Sequence, residues 1–156
     1  MIHKESRYII KLIVKSIARN IIRSFQPHKY VYNKSLSDGE VYNSARYCYS
    51  IWMRHLVKAR DNGCNTFPDN VAEFGCGDSL GVGMAALLSG ASKYVAFDVE
   101  PIASLENNIK VFNELVQLFK QKSPIPGEDE FPQVKPYLLN YDFPHEIIGE
   151  RLIDNL

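Results

Sequence analysis

The sequence predicts an α/β protein organised on a parallel sheet, and three observations carry that expectation. Val71 to Phe74 is a short apolar run of the kind that forms a parallel strand. Gly75, Gly77 and Gly81 follow at once and lead into an apolar segment that closes at Gly90. Tyr94 to Phe97 is a second strand-like run, and it ends on an acid, Asp98. Strand, glycine turn, helix, strand and acid, in that order, make the front half of a nucleotide-cofactor-binding α/β unit. Ligands of open α/β sheets sit outside the carboxyl ends of the strands, so the glycine turn and Asp98 mark the candidate site.

Each element has a local reason. The glycines allow a sharp turn and a close backbone approach to a ligand or a neighbouring helix. Asp78 or Ser79 is placed to cap a helix running from about Leu80 to Ser89. Beyond Asp98, Pro101 suits the first turn of a helix. Leu105, Ile109, Phe112, Val116 and Phe119 then form one apolar stripe, which predicts an amphipathic helix over Ala103–Lys120. Gln121 to Pro136 carries four prolines and the acidic trio Glu128, Asp129 and Glu130, so it reads as a long loop. Two readings of it stand, a solvated surface excursion or an insertion near the pocket. Tyr137 to Asn140 is expected as a third strand, with Asp142 just past its end.

Upstream of the first strand, Asn62 to Asn70 is a loop and Glu40 to Arg60 a helix rich in large residues (Tyr42, Tyr49, Trp52, Met53, Leu56). These suit packing against the sheet; a lid over the pocket formed by Tyr47, Trp52 or His55 is the alternative. Gln26 to Gly39 is a connector ending in a Ser37-Asp38-Gly39 turn. Before it, Ile9, Ile13, Ile17 and Ile21 recur every four residues, with Arg7, Lys11, Lys15, Arg19 and Arg23 at the same spacing. Residues 1–25 are therefore expected as one basic amphipathic helix. It would either pack on its own domain or a coiled-coil partner, or lie on an anionic membrane surface. Its longest apolar run is three residues, too short for a membrane span or a secretory core.

Composition sets bounds. The length, 156 residues, fits one domain, and 46% hydrophobic with 23% charged residues is an ordinary folded composition. Formal charge is zero but uneven: residues 1–30 hold seven Lys or Arg against one Glu, and the rest hold eleven against seventeen acids. The basic segment lacks the interleaved aromatics of a nucleic-acid platform, so no nucleic-acid partner is expected. Cys48, Cys64 and Cys76 form no C-x-x-C pair, and their odd number suits a reducing, cytoplasmic compartment. The four histidines have no metal-ligand spacing, so no metal is expected. Cys76 has no identifiable histidine partner and reads as a small turn residue rather than a nucleophile.

The turn's charge selects among cofactors. A dinucleotide fingerprint would place its third glycine at position 80, which is Leu80. Pyrophosphate also wants bare N–H groups and a positive helix end, whereas Glu73 and Asp78 flank this turn. Two carboxylates suit a cationic ligand better. S-adenosylmethionine carries a sulfonium and an ammonium, and its ribose hydroxyls suit a carboxylate such as Asp98.

The same residues carry a resemblance. Glu73, Gly75 and Gly77 followed by Asp98 resemble the first two motifs of class I S-adenosylmethionine-dependent methyltransferases. The run from Gly75 through Gly83 and Gly90-Ala91, with Ile51-Trp52-Met53-Arg54-His55-Leu56, Glu130-Phe131-Pro132 and Asn140-Tyr141-Asp142-Phe143-Pro144, is similar to a narrower group associated with bacterial surface-polysaccharide gene clusters. Ser79 departs from the family at a position where many members have a third glycine. The resemblance implies an incomplete Rossmann-like fold: a three-stranded parallel sheet with flanking helices (70–156), preceded by a helical lead-in (26–69) and the basic helix (1–25). It implies S-adenosylmethionine held by Glu73, Gly75, Cys76, Gly77, Asp78, Ser79, Gly81, Asp98 and Val99, with Asp142 at the adenine amino group. The expected reaction is O-methylation of a sugar or other small molecule, at the cytoplasm or the inner membrane face.

Family members resemble a seven-stranded sheet, so three strands would be the N-terminal half, with the edge of Val71–Phe74 open to association. An inactive cofactor-binding remnant, a membrane- or partner-binding module and a nicotinamide oxidoreductase fragment are the alternatives.

Overall fold

Two segments, Asn70–Phe74 (β1) and Lys93–Phe97 (β2), pair in parallel, with Asn70 opposite Lys93 and Phe74 opposite Phe97. The structure, a computed structural model, describes residues 43–100, 103–148 and 152. These lie within a unit that extends from Ser35 to Leu156. The basic helix expected over residues 1–25 lies outside the described residues.

The described helices are Ala45–Asp61 (α1), Gly81–Leu88 (α2), Leu105–Lys120 (α3) and the single turn His145–Ile148 (α4). Ser44 caps α1, its side chain accepting the Tyr47 N–H, and Lys58 and Arg60 lie in the last turn where the helix dipole favours cations. Ser104 caps α3 in the same way through the Asn107 N–H, so that helix starts at Leu105 and not at Ala103. The crossover β1–α2–β2 is the predicted unit, with boundaries shifted by a residue or so.

The core lies on the helical side. Tyr49, Met53, Ala85, Leu115 and Phe119 are fully buried where α1, α2 and α3 meet. Two glycines make this close packing feasible. A Cβ on Gly81 would lie 2.4 Å from Cys48 Sγ, and one on Gly83 would lie 2.1 Å from the Tyr94 ring. α2 thus settles onto β2 and α1 at a distance that only a bare backbone permits.

Two expectations are corrected by the structure. Among the described residues the sheet has two strands and not three, because Tyr137–Asn140 is not a strand. That segment spends its polar groups locally: the Leu138 N–H donates to the Tyr141 hydroxyl, and the Tyr137 hydroxyl donates to the Pro132 carbonyl. Leu138 is buried while Leu139 is fully exposed.

The apolar stripe of α3 is also rotated. Asn108, Val111, Leu115 and Phe119 face inward, whereas Leu105 and Ile109 are 76% and 53% exposed and Phe112 is exposed as well. The inward face is set by Val111, which packs at Gly81, and by Asn108, whose Oδ1 accepts the Leu80 N–H at 2.9 Å.

The loop after α3 is anchored at four positions, while its acidic trio Glu128, Asp129 and Glu130 is exposed. Ile125, Pro126, Phe131 and Val134 are buried. The fully buried Arg54 holds it: Nη1 donates to the Val134 carbonyl at 2.5 Å, and Nη2 and Nε donate to that of Pro126 at 2.7 and 3.2 Å. The guanidinium lies 5.2 Å from the centre of the Tyr141 ring, a cation–π distance. Ser50 Oγ also donates to the Pro126 carbonyl, and the Tyr49 hydroxyl donates to that of Ser123.

Candidate functional site

β1 and β2 deliver their carboxyl ends side by side, and the chain turns back over them through Gly75 and Gly77. Both glycines have positive φ, +81° and +66°, a conformation costly for other residues. The Gly75 N–H donates to the Phe97 carbonyl at 2.7 Å, which ties the turn to the end of β2. Asp98, the next residue, points its carboxylate at the same turn: Oδ2 accepts the Gly77 N–H at 2.8 Å.

The backbone N–H groups of Gly77 and Glu100 hold the Asp98 carboxyl below the usual carboxylate range. Its share in fixing the turn is therefore present above the ordinary carboxylate pKa, and is lost only as pH falls through that lowered value.

The turn is fixed from a second side by α3. Ser104 N–H donates to the Asp78 carbonyl, and Asn108, buried, takes the Leu80 N–H. Capping of α2 differs from expectation as a result. The N-cap is Leu80, with no cap from its own side chain. Ser79 is buried and its Oγ accepts the Gly81 N–H at 3.1 Å, while the Asp78 side chain makes no cap. A side chain from a neighbouring helix satisfies the N–H that Asp78 was expected to serve.

Beside the turn lies a cavity of about 360 Å3, lined by Tyr47, Cys48, Glu73, Gly75, Cys76 and Ser79 among others. Glu73 is its acid. The Tyr94 hydroxyl donates to Glu73 Oε2 at 2.5 Å, and burial together with that carboxylate pushes the hydroxyl's pKa up, so it stays a donor. Burial pushes the Cys48 thiol up to about 12 and also raises Cys76, which has Asp98 and Glu73 as neighbours. Neither is a thiolate nucleophile under those conditions.

Glu73, Gly75, Cys76, Gly77, Ser79 and Asp98 are thus brought together around one turn. Gly81 is drawn away into the helix contact with Cys48 and Val111. Val99 follows Asp98 but is 99% exposed. Asp142 is not placed by a third strand, because none forms there. It is exposed in the loop that Arg54 anchors, with its N–H donating to Asn140 Oδ1 at 2.8 Å.

Of the three lid candidates, Tyr47 lines the cavity. Trp52 is a core residue whose indole N–H donates to Ser89 Oγ at 2.7 Å. His55 lies along a different cavity.

The long loop reaches the site through Tyr47, whose ring packs edge-on against Phe131 at 5.5 Å. Next to that contact Arg46 makes a bidentate pair with Glu130, 2.7 and 2.6 Å. Sequence reasoning missed Asn108 and Tyr94. Asn108 had a signal, a polar residue three before Val111 on a helix of apolar stripes; Tyr94 read simply as a strand residue.

No family model matches the chain, and comparison with curated proteins and with solved structures gives no match. The fold and site therefore define the molecule only as a class: a small α/β protein with a parallel strand pair and an acid-flanked glycine turn at its carboxyl ends. Among the described residues no helix is long and apolar enough to cross a membrane, and no cluster of His, Cys, Asp or Glu is grouped to hold a metal.

Proposed function

We propose that the glycine turn and its acids bind S-adenosylmethionine, and that the chain is the cofactor-binding half of a class I-like methyltransferase acting on a small-molecule hydroxyl, such as that of a sugar. The observation that carries this reading is the bond from the Gly77 N–H to Asp98 Oδ2. It sets the carboxylate over the turn, where a ribose hydroxyl can donate to the acceptor sites that remain. Glu73 at the adjoining cavity supplies the negative charge that a sulfonium and an ammonium favour and a pyrophosphate opposes. The protein's part in transfer would be positioning, worth roughly 7–11 kcal/mol for well-oriented reactants.

The sheet supports a half rather than a finished catalyst. Both strands are edges among the described residues, and Phe74 and Phe97 on the face away from α2 are 81% and 51% exposed. The acceptor-binding and general-base groups would then come from polypeptide that extends this sheet.

Titration calorimetry with S-adenosylhomocysteine and with NADH tests the reading. S-adenosylhomocysteine is expected to bind more tightly than NADH, and Asp98→Ala to weaken it about tenfold or more, the loss of one charged hydrogen bond. Tighter NADH binding, or an affinity that Asp98→Ala leaves unchanged, overturns the assignment.

A further inference from the structure

A second cavity, of about 390 Å3, opens at the other end of β1, under the loop that feeds the strand's amino end. It does not touch the glycine turn, so its chemistry is independent of the cofactor reading. Its size is within the range of small-molecule sites, and it has such a site's division into an apolar floor and a few polar groups. Trp52 and Phe67 meet edge to face at 6.5 Å and form the floor with Leu56. His55, Arg60 and Glu146 are exposed along the same cavity.

The three polar groups offer different chemistry. Arg60 Nη1 donates to the Asn65 carbonyl at 2.8 Å, which fixes the guanidinium against the loop while its fork keeps further N–H donors. Glu146, in the first turn of α4, is a carboxylate acceptor. His55 Nδ1 lies 2.8 Å from the Ile51 carbonyl, which can only accept, so Nδ1 carries a hydrogen and Nε2 is the ring nitrogen left for a ligand. A guanidinium, a carboxylate and an imidazole therefore border an aromatic floor.

We propose that this cavity is a binding site for a free aromatic α-amino acid. The ring lies on Trp52, Leu56 and Phe67, where burying a ring gains both area and edge-to-face contact. The α-carboxylate meets Arg60, the α-ammonium meets Glu146, and a ring N–H or hydroxyl meets His55 Nε2. A zwitterion can engage both rim ions, whereas a ligand of one charge engages one.

Calorimetry on the intact chain with L-tryptophan, tryptamine and indole-3-propionate separates the parts. L-tryptophan is expected to bind saturably, and each analogue about tenfold or more weaker, since each lacks one charge-assisted contact. Glu146→Gln, at an exposed position, should weaken L-tryptophan by a similar factor and leave indole-3-propionate unchanged. Ala59, which is exposed on α1 and also borders the cavity, gives the blocking variant: Ala59→Phe should abolish binding of L-tryptophan with the melting midpoint unchanged. Absence of saturable L-tryptophan binding, equal affinity for all three ligands, or a Glu146→Gln variant that binds L-tryptophan as well as the parent overturns the proposal. Should Ala59→Phe not fold, the Glu146→Gln comparison decides alone.

Discussion

The helical side and the sheet side of this molecule are finished to different degrees. On the helical side α1 is closed over by the loop after α3, and every buried side-chain nitrogen and oxygen among the described residues has a partner. Arg54, Ser50 and Tyr49 between them donate to the Ser123, Pro126 and Val134 carbonyls of that loop. On the sheet side two short strands present Phe74 and Phe97 to solvent, stacked on each other at 5.1 Å. The candidate cofactor turn stands at the junction, held by Asn108 and Ser104 from the finished side and by Asp98 from the strand end. Stability is thus concentrated in the helices and loop, while the candidate site lies at the less supported half. Binding elements are commonly drawn from the less stable parts of a fold.

The difference can be tested first where it should be largest. Arg54→Ala leaves the Val134 carbonyl without its donor, at roughly 1–3 kcal/mol, leaves the Pro126 carbonyl with the Ser50 hydroxyl alone, and opens a cavity as well. A loss of about 3–5 kcal/mol is expected by urea denaturation, with a clear drop in melting temperature. A loss under about 1 kcal/mol would mean that the loop does not depend on α1, and would break the contrast.

Gly83→Ala acts at the seam. Relief of glycine's helix penalty gains about 1 kcal/mol, but the new Cβ would lie 2.1 Å from the Tyr94 ring. Overpacking of that kind costs about 1–3 kcal/mol, so the net change should lie between nothing and a destabilisation of roughly 2 kcal/mol. The Tyr94–Glu73 bond should weaken with it, and ultraviolet titration should find the hydroxyl ionising at lower pH than in the parent. An unchanged titration would sink the link between α2 packing and Glu73.

Phe97→Ser should have the smallest effect. Its ring is half exposed and its neighbour Phe74 more so, which places the cost within about 1 kcal/mol. A loss of several kcal/mol in the same denaturation assay would show that this face is covered in solution.

Much of the fold was legible because it rests on local chemistry. The strand–turn–helix–strand order follows from glycines that must adopt positive φ and from apolar runs too short for helices. Asp98 was findable for the same reason: an acid directly after a strand has few places to point other than the adjoining turn. The stripe on α3 was not legible. Two apolar faces overlap on that helix, and the choice between Ile109 and Val111 was made by Gly81, some thirty positions earlier in the chain. The third strand failed similarly, since the apolar character of Tyr137–Asn140 does not reveal that Tyr141 and Arg54 hold the segment elsewhere.

By itself, then, the sequence determined the parallel β–α–β unit and the acidic character of its turn. Backbone conformation and charge are properties of residues and their immediate neighbours. Only the tertiary structure decided which helix face is buried, that Asn108 rather than Asp78 satisfies the start of α2, and that a second aromatic-floored cavity forms at the far end of β1. Each of those depends on groups far apart in sequence meeting at hydrogen-bond or van der Waals distance, which no local pattern encodes.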